Sequence, residues 1–147
     1  MNAEIFTIGR LSREAACNVQ TIRYYEQIGL LPAPLRSSGN QRLYDESWTR
    51  RLRFIRHARD LGFELDNVRI LLDLADDPSK SCEAVDEVAG GQLAQVEQRI
   101  RDLQALKREL QRMLKLCQGG TVADCRIIET LGNHDLCIAD THAGNKR

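Results

Sequence analysis

Between Glu83 and about Leu116 the apolar residues Val85, Val88, Leu93, Val96, Ile100, Leu103, Leu106, Leu110 and Met113 recur at steps mostly of three and four. That spacing predicts one continuous amphipathic helix with a coiled-coil seam. At ~1.5 Å per residue such a helix runs about 50 Å. The head that precedes it is too small to cover a stripe of that length, so the seam needs a second copy of the chain. A homodimer is therefore expected. The Gly90-Gly91 pair is the weak point of this helix, costing about 1–2 kcal/mol relative to alanines and marking a bend or a close helix approach.

A chain of 147 residues holds one small head and one extended element rather than two full globular domains. The boundaries expected are a head over 1–77, a linker and dimerisation helix over 78–116 after the break at Pro78, and a loop and tail over 117–147. The formal charge is zero, from 21 basic and 21 acidic side chains, and by itself names no partner. The local balance is more informative. From Arg36 to Arg59 seven arginines (36, 42, 50, 51, 53, 56 and 59) stand against Asp45 and Glu46, a net of 7 − 2 = +5. Such a run suits either a solvated helix face or a polyanion.

Glu4, Arg10 and Arg13 interrupt any apolar core of a signal peptide, and no window approaches the ~18 apolar residues of a membrane span. A cytoplasmic protein without membrane contact is expected. In a reducing compartment the five cysteines (17, 82, 117, 125 and 137) are poor candidates for disulfides, and an odd number cannot pair fully within one chain. Metal ligation or burial remains for them.

Within the head, Ile8, Leu11, Ala15 and Ala16 fall at helical spacing between Phe6 and Cys17, with Thr7 placed to cap. Asn18 is a good cap for a second helix over Val19 to Gln27, which Gly29 stops. Two short helices joined in this way make a helix-turn-helix, whose second helix enters the major groove of DNA. Pro32, Pro34 and Ser37-Ser38-Gly39-Asn40 then supply turn chemistry for a β-hairpin wing. Alternation along its returning strand, Gln41 to Tyr44, puts Arg42 and Tyr44 on one face, expected to be free for DNA. A third helix from Asp45 or Ser47 to about Leu61 buries Trp48, Leu52, Ile55 and Ala58. A fourth, Glu64 to Ala75, covers the core with Leu65, Val68, Leu71 and Leu72.

The string Ile8-Gly9, Thr21-Ile22-Arg23-Tyr24-Tyr25-Glu26, Gly29-Leu30-Leu31-Pro32, Arg36, Gly39-Asn40-Gln41-Arg42-Leu43-Tyr44 and Arg53-Phe54-Ile55 closely resembles the MerR family of transcriptional regulators. The likeness implies a mainly α fold, in which a winged helix-turn-helix head is followed by a long antiparallel coiled-coil dimerisation helix and a short C-terminal metal-binding loop. It implies that Asn18, Gln20, Thr21, Arg23 and Tyr24 approach DNA, with Arg36, Arg42 and Tyr44 of the wing on the adjacent backbone. Guanidinium groups suit phosphate or guanine, and tyrosine hydroxyls suit phosphate. Tyr25 is expected to pack the head.

The same resemblance implies that Cys82 of one subunit joins Cys117 and Cys125 of its partner around a thiophilic ion. Thiolates select soft or borderline metals. Two alone would favour copper(I) or silver(I), whereas a third favours the divalent branch, with zinc placed ahead of cadmium, lead and mercury. Three thiolates suit mercury or lead, and tetrahedral zinc or cadmium wants another donor. His134, Cys137 and His142 are the additional candidates. Cys17 reads as a small core residue. Metal binding is implied to distort promoter DNA and realign it for RNA polymerase, switching on a metal-resistance or efflux gene. A regulator of the same family sensing oxidants or organic molecules is the alternative. An enzyme is not indicated, since no nucleophile-base pair, phosphate loop or catalytic zinc signature is present.

Overall fold

The computed structural model describes residues 4–117 and 119–133. In chain order its elements are α1 (Ile8–Ala15), α2 (Val19–Gln27), β1 (Leu35–Arg36), β2 (Arg42–Leu43), α3 (Glu46–Asp60), α4 (Leu65–Ala75), α5 (Glu83–Leu116), a short 3-10 turn (Val122–Asp124) and α6 (Arg126–Gly132). None of the described helices is long and apolar enough to cross a membrane. The chain divides into two compact units, Met1–Val88 and Ala89–Arg147.

The first unit is built around Leu11 of α1, Ile22 of α2, Leu52 and Ile55 of α3, Val68 of α4 and Leu30 of the connecting loop, all fully buried. Each such side chain stabilises the fold by roughly 1.5–3 kcal/mol. The stripe expected on α3 is present, since Trp48, Leu52, Ile55 and Ala58 are buried with Thr49 beside them. On α4, Val68 and Leu72 are buried, while Leu65 and Leu71 are half-buried. Asp45 starts α3 by accepting a hydrogen bond from the Ser47 backbone N–H at 2.9 Å.

The first helix departs from the sequence expectation at its start. Thr7 occupies the capping position, but its side chain makes no capping hydrogen bond. Phe6, just before that cap, forms an antiparallel bridge with Tyr44, with N···O distances of 2.8 and 3.0 Å. That bridge extends the wing pairing, in which Leu35 faces Leu43 and Arg36 faces Arg42.

In the second unit, α5 leaves much of its apolar stripe uncovered in the single chain: Leu93 is 59% and Leu103 64% exposed. Among the described residues nothing outside the helix's own backbone lies within 4 Å of where a Cβ would sit on Gly90 or Gly91, so no close approach among them demands glycine there. Glu109 is buried with its carboxylate paired to Arg112 at 2.5 Å. The segment after Cys125, expected as loop and tail, forms α6, whose Thr130 is buried and donates from Oγ1 to the Arg126 carbonyl at 2.8 Å.

Candidate nucleic-acid interface and thiol sites

Helix α2 is aimed by what stands at both its ends. At its start the backbone reverses through Ala16, left-handed at φ 48, and the Asn18 side chain accepts from the Gln20 N–H at 2.7 Å. At its end Arg69 of α4 donates to the carbonyls of Ile28 (2.8 Å) and Gly29 (3.1 Å), placing a cation where the helix dipole is negative. Ile22 anchors the inner side. Gln20, Arg23, Tyr24 and Gln27 consequently stand exposed on the opposite side, Tyr24 at 49%, with Thr21 half-buried between them.

The wing turns through Ser37 to Asn40. Asn40 sits at φ 64, and the Ser37 N–H donates to the Gln41 carbonyl at 2.9 Å. Paired across the strands, Arg36 and Arg42 carry like charges on one face, an arrangement that costs stability by itself. Arg36 is steadied by donating to the Asn40 backbone and side-chain oxygens at 3.0 and 3.2 Å. Between wing and α2 lies a groove of about 450 Å³ lined by Arg23, Glu26, Gln27, Arg36 and Arg42 with Ala33 and Pro34. Three guanidinium groups and one carboxylate give it a net of 3 − 1 = +2. A second groove of about 280 Å³ also takes Arg23 and Arg42 into its lining, together with Thr7, Ile8, Asn40 and Gln41. A positive groove rimmed by a helix and a hairpin suits a polyanion backbone.

Tyr44 does not stand where the sequence placed it. Arg42 and Tyr44 do share a face, but that face is covered at Tyr44, while Arg42 stays 38% exposed. Tyr44 is 1% exposed, packs edge-on against Trp48 with ring centroids 5.1 Å apart, and donates its hydroxyl to Glu26 Oε1 at 2.6 Å. Burial first, then the hydrogen bond and charge of Glu26, hold that hydroxyl far above its ordinary pKa. It stays protonated and braces the wing from within. Glu26, which the sequence offered only as part of the family string, is therefore a half-buried acceptor, and its Oε2 also lies 3.4 Å from Arg42 Nε.

The arginine run on α3 is largely structural. Arg51 binds the Leu30 carbonyl at 3.2 Å and Asp76 at 2.8 Å, Arg53 binds the Glu14 carbonyl at 3.1 Å, and Arg59 binds the Phe63 carbonyl at 2.7 Å. Arg56 lies 4.0 Å from Asp60. His57 is exposed beside Arg53, Phe54 and Leu61.

The cysteines fall into two kinds. Cys17 is half-buried against the head core, and burial pushes its thiol pKa up against the opposing pull of Arg56. Cys82 is exposed just before α5, where Ser81 Oγ accepts from the Glu83 N–H at 3.2 Å. Cys117 is exposed at the end of α5, its N–H reaching the Met113 carbonyl at 3.2 Å. Cys125 is half-buried at the start of α6. Between these last two, Gly119 and Gly120 adopt φ of 78 and 111, a reversal that other residues resist. Among the described residues of one chain, no three His, Cys, Asp or Glu side chains converge as a metal site. His134, Cys137 and His142 lie outside the described residues.

A family profile described as "MerR HTH family regulatory protein" matches residues 6–75, and one described as "MerR, DNA binding" matches 49–113. The chain is 40% identical over 130 residues to the HTH-type transcriptional regulator ZntR of Escherichia coli K12, covering 86% of this chain and 92% of that protein. Among solved structures it resembles the transcription regulator PbrR691 of Ralstonia metallidurans CH34 in complex with lead(II), at 44% identity and a TM-score of 0.77, covering 86% of this chain and 98% of that one. It also resembles MerR of Bacillus megaterium MB1 in complex with mercury(II), at 29% identity and a TM-score of 0.68, covering 86% and 99%. On these matches, and with the helix-turn-helix and wing found in place, the chain belongs to the MerR family of helix-turn-helix, DNA-binding transcription regulators and not to a class of enzymes.

Proposed function

We propose that this regulator is a homodimer that senses a divalent thiophilic metal and activates a metal-resistance or efflux promoter. Gln20, Thr21, Arg23 and Tyr24, with Asn18 at the helix start, form the face of α2 that meets the major groove. Arg36 and Arg42 hold the flanking phosphates, and Tyr44 supports them from behind. The observation that carries the sensing half is the position of three thiols outside the core: Cys82 before α5, and Cys117 and Cys125 on either side of a left-handed glycine pair after it. Two copies of α5 running antiparallel over their exposed apolar stripe would bring Cys82 of one protomer to Cys117 and Cys125 of its partner. A bound ion supplies soft Lewis-acid bonds to three thiolates. Zinc, cadmium, lead and mercury all fit this donor set. The fourth donor separates them, because tetrahedral zinc or cadmium requires one and His134, Cys137 and His142 are available in the sequence.

An ion held across two chains biases how the heads are held. Bending or untwisting DNA costs a few kcal/mol, within what a tightly bound metal supplies to one of two states. RNA polymerase then reads the realigned promoter. The test mixes two defective chains, Cys82→Ser and the double variant Cys117→Ser/Cys125→Ser. Neither homodimer should bind metal, yet the mixed dimer should regain one site, seen as thiolate-to-metal absorption and as promoter response. A mixed dimer that binds nothing would refute a site shared between chains. Induction by copper(I) that ignores Cys82→Ser would refute the divalent assignment.

A further inference from the structure

Glu26 lies on the helix read as the DNA-reading element, yet its side chain is only 10% exposed and serves the wing. One carboxylate oxygen accepts from the Tyr44 hydroxyl at 2.6 Å, and the other lies 3.4 Å from Arg42 Nε. Among the described residues that Nε is shut off from solvent and has no hydrogen-bond partner, so the carboxylate holds it by charge attraction. Arg42 meanwhile lines both grooves between wing and α2, beside Arg23. A phosphate entering either groove therefore meets a cation already engaged by a carboxylate. From this geometry we infer that Glu26 is a positioning and specificity residue, which tethers Arg42 and so restrains phosphate binding until a duplex of the right contour brings α2 and the wing into register together. This rests on the DNA-facing roles assigned to α2 and the wing under Proposed function.

Electrostatic attraction to phosphate is independent of sequence, so a cation left untethered favours every duplex equally. The tether costs affinity on all DNA. Only the correct site recovers that cost through base contacts.

Glu26→Gln removes the charge but keeps an oxygen for the Tyr44 hydroxyl, so it separates tethering from bracing. The full chain is titrated by fluorescence anisotropy over a range of salt, against a random-sequence duplex and against a duplex that the wild type selects from a random pool. For Glu26→Gln, affinity for the random duplex should rise roughly twofold to fivefold, the effect of freeing a partly exposed ion pair. Its log K against log salt should steepen by up to about 0.9 per head, one added phosphate contact. The ratio of selected to random affinity should fall, and Glu26→Asp should restore it. In an Arg42→Gln background the same change should do nothing. A residue that merely props the fold would move the melting temperature and leave the salt slope alone. Wild-type slope and random-duplex affinity in Glu26→Gln, or a gain that survives Arg42→Gln, would overturn this inference while leaving the DNA-binding assignment intact. A wild-type chain that binds neither duplex would overturn that assignment and this inference with it.

Discussion

Replacing Tyr44 with phenylalanine deletes one oxygen from a buried site and leaves the ring against Trp48 untouched. The lost interaction is a hydroxyl donating to a carboxylate at 2.6 Å, and hydrogen bonds to charged groups contribute roughly 1.5–3 kcal/mol. Glu26 keeps Arg42 at 3.4 Å and is slightly open to water, so it is not orphaned. The lower end applies, about 1.5–2 kcal/mol. Urea unfolding followed by circular dichroism should show a lower midpoint with an unchanged slope. There is a second signature in alkali. Because the folded state holds this hydroxyl far above its ordinary pKa near 10, the native chain keeps a proton that the unfolded chain releases. Its contribution is complete below pH 10 and is lost as pH rises above it, at about 1.4 kcal/mol per pH unit. Tyr44→Phe should lack that component of the alkaline fall. A variant with wild-type stability, whose DNA affinity drops as far as that of Arg23→Ala, would show that the hydroxyl works on DNA and that the bracing argument is wrong.

Two further outcomes test the supports of α2 and α3. Arg69→Ala removes the two donors at the α2 C-terminus and should lower stability by about 1–2 kcal/mol; DNA affinity should fall too, although Arg69 makes no predicted DNA contact, and an affinity unchanged in the face of lower stability would refute its role in aiming the helix. Asp45 is held below the ordinary carboxylate range by the Ser47 hydroxyl first and then by backbone N–H groups. Its contribution is present above its unfolded value of about 3.9 and is lost as pH falls through the lower folded one. Asp45→Asn still caps α3 but does not titrate, so its acid unfolding should begin at lower pH than the wild type's, and coincident acid transitions would refute that assignment.

What the sequence made legible was local. Helix α2 has its predicted bounds because Asn18 and Gly29 are strong signals within a few residues of its ends, and α5 has its bounds because its period is sustained over many turns. Tyr44 shows the limit. Alternation correctly put it on one face with Arg42, but a period of two cannot say which face is covered, and the partner of its hydroxyl, Glu26, lies 18 residues away in the chain. Arg69 was missed for a similar reason, since its carbonyl partners lie 40 and 41 residues away. Helix α6 gave little signal because Arg126–Gly132 is only seven residues long and contains Ile127, Ile128 and Thr130, all weak helix formers. The thiols were legible as candidates from their positions alone, and the proposed site, drawn from two chains, is one that the mixed-dimer experiment must test.

The arginine run illustrates why charge counted along a sequence overstates a binding surface. Arg51, Arg53 and Arg59 spend donors on Leu30, Glu14 and Phe63 carbonyls, so they join α3 to its neighbours in the head. The groove beside α2 draws instead on Arg23, Arg36 and Arg42, only two of which belong to that run. At about 0.9 per neutralised phosphate, three groove-lining cations give a salt slope near 2.7 per head, whereas all seven arginines of the run would give about 6. The smaller slope leaves more of the binding energy to base contacts and DNA shape, the terms on which the proposed metal response would act. A measured slope close to the larger figure would mean that the α3 arginines leave their carbonyls to reach DNA, and that the head is held together less firmly than those hydrogen bonds imply.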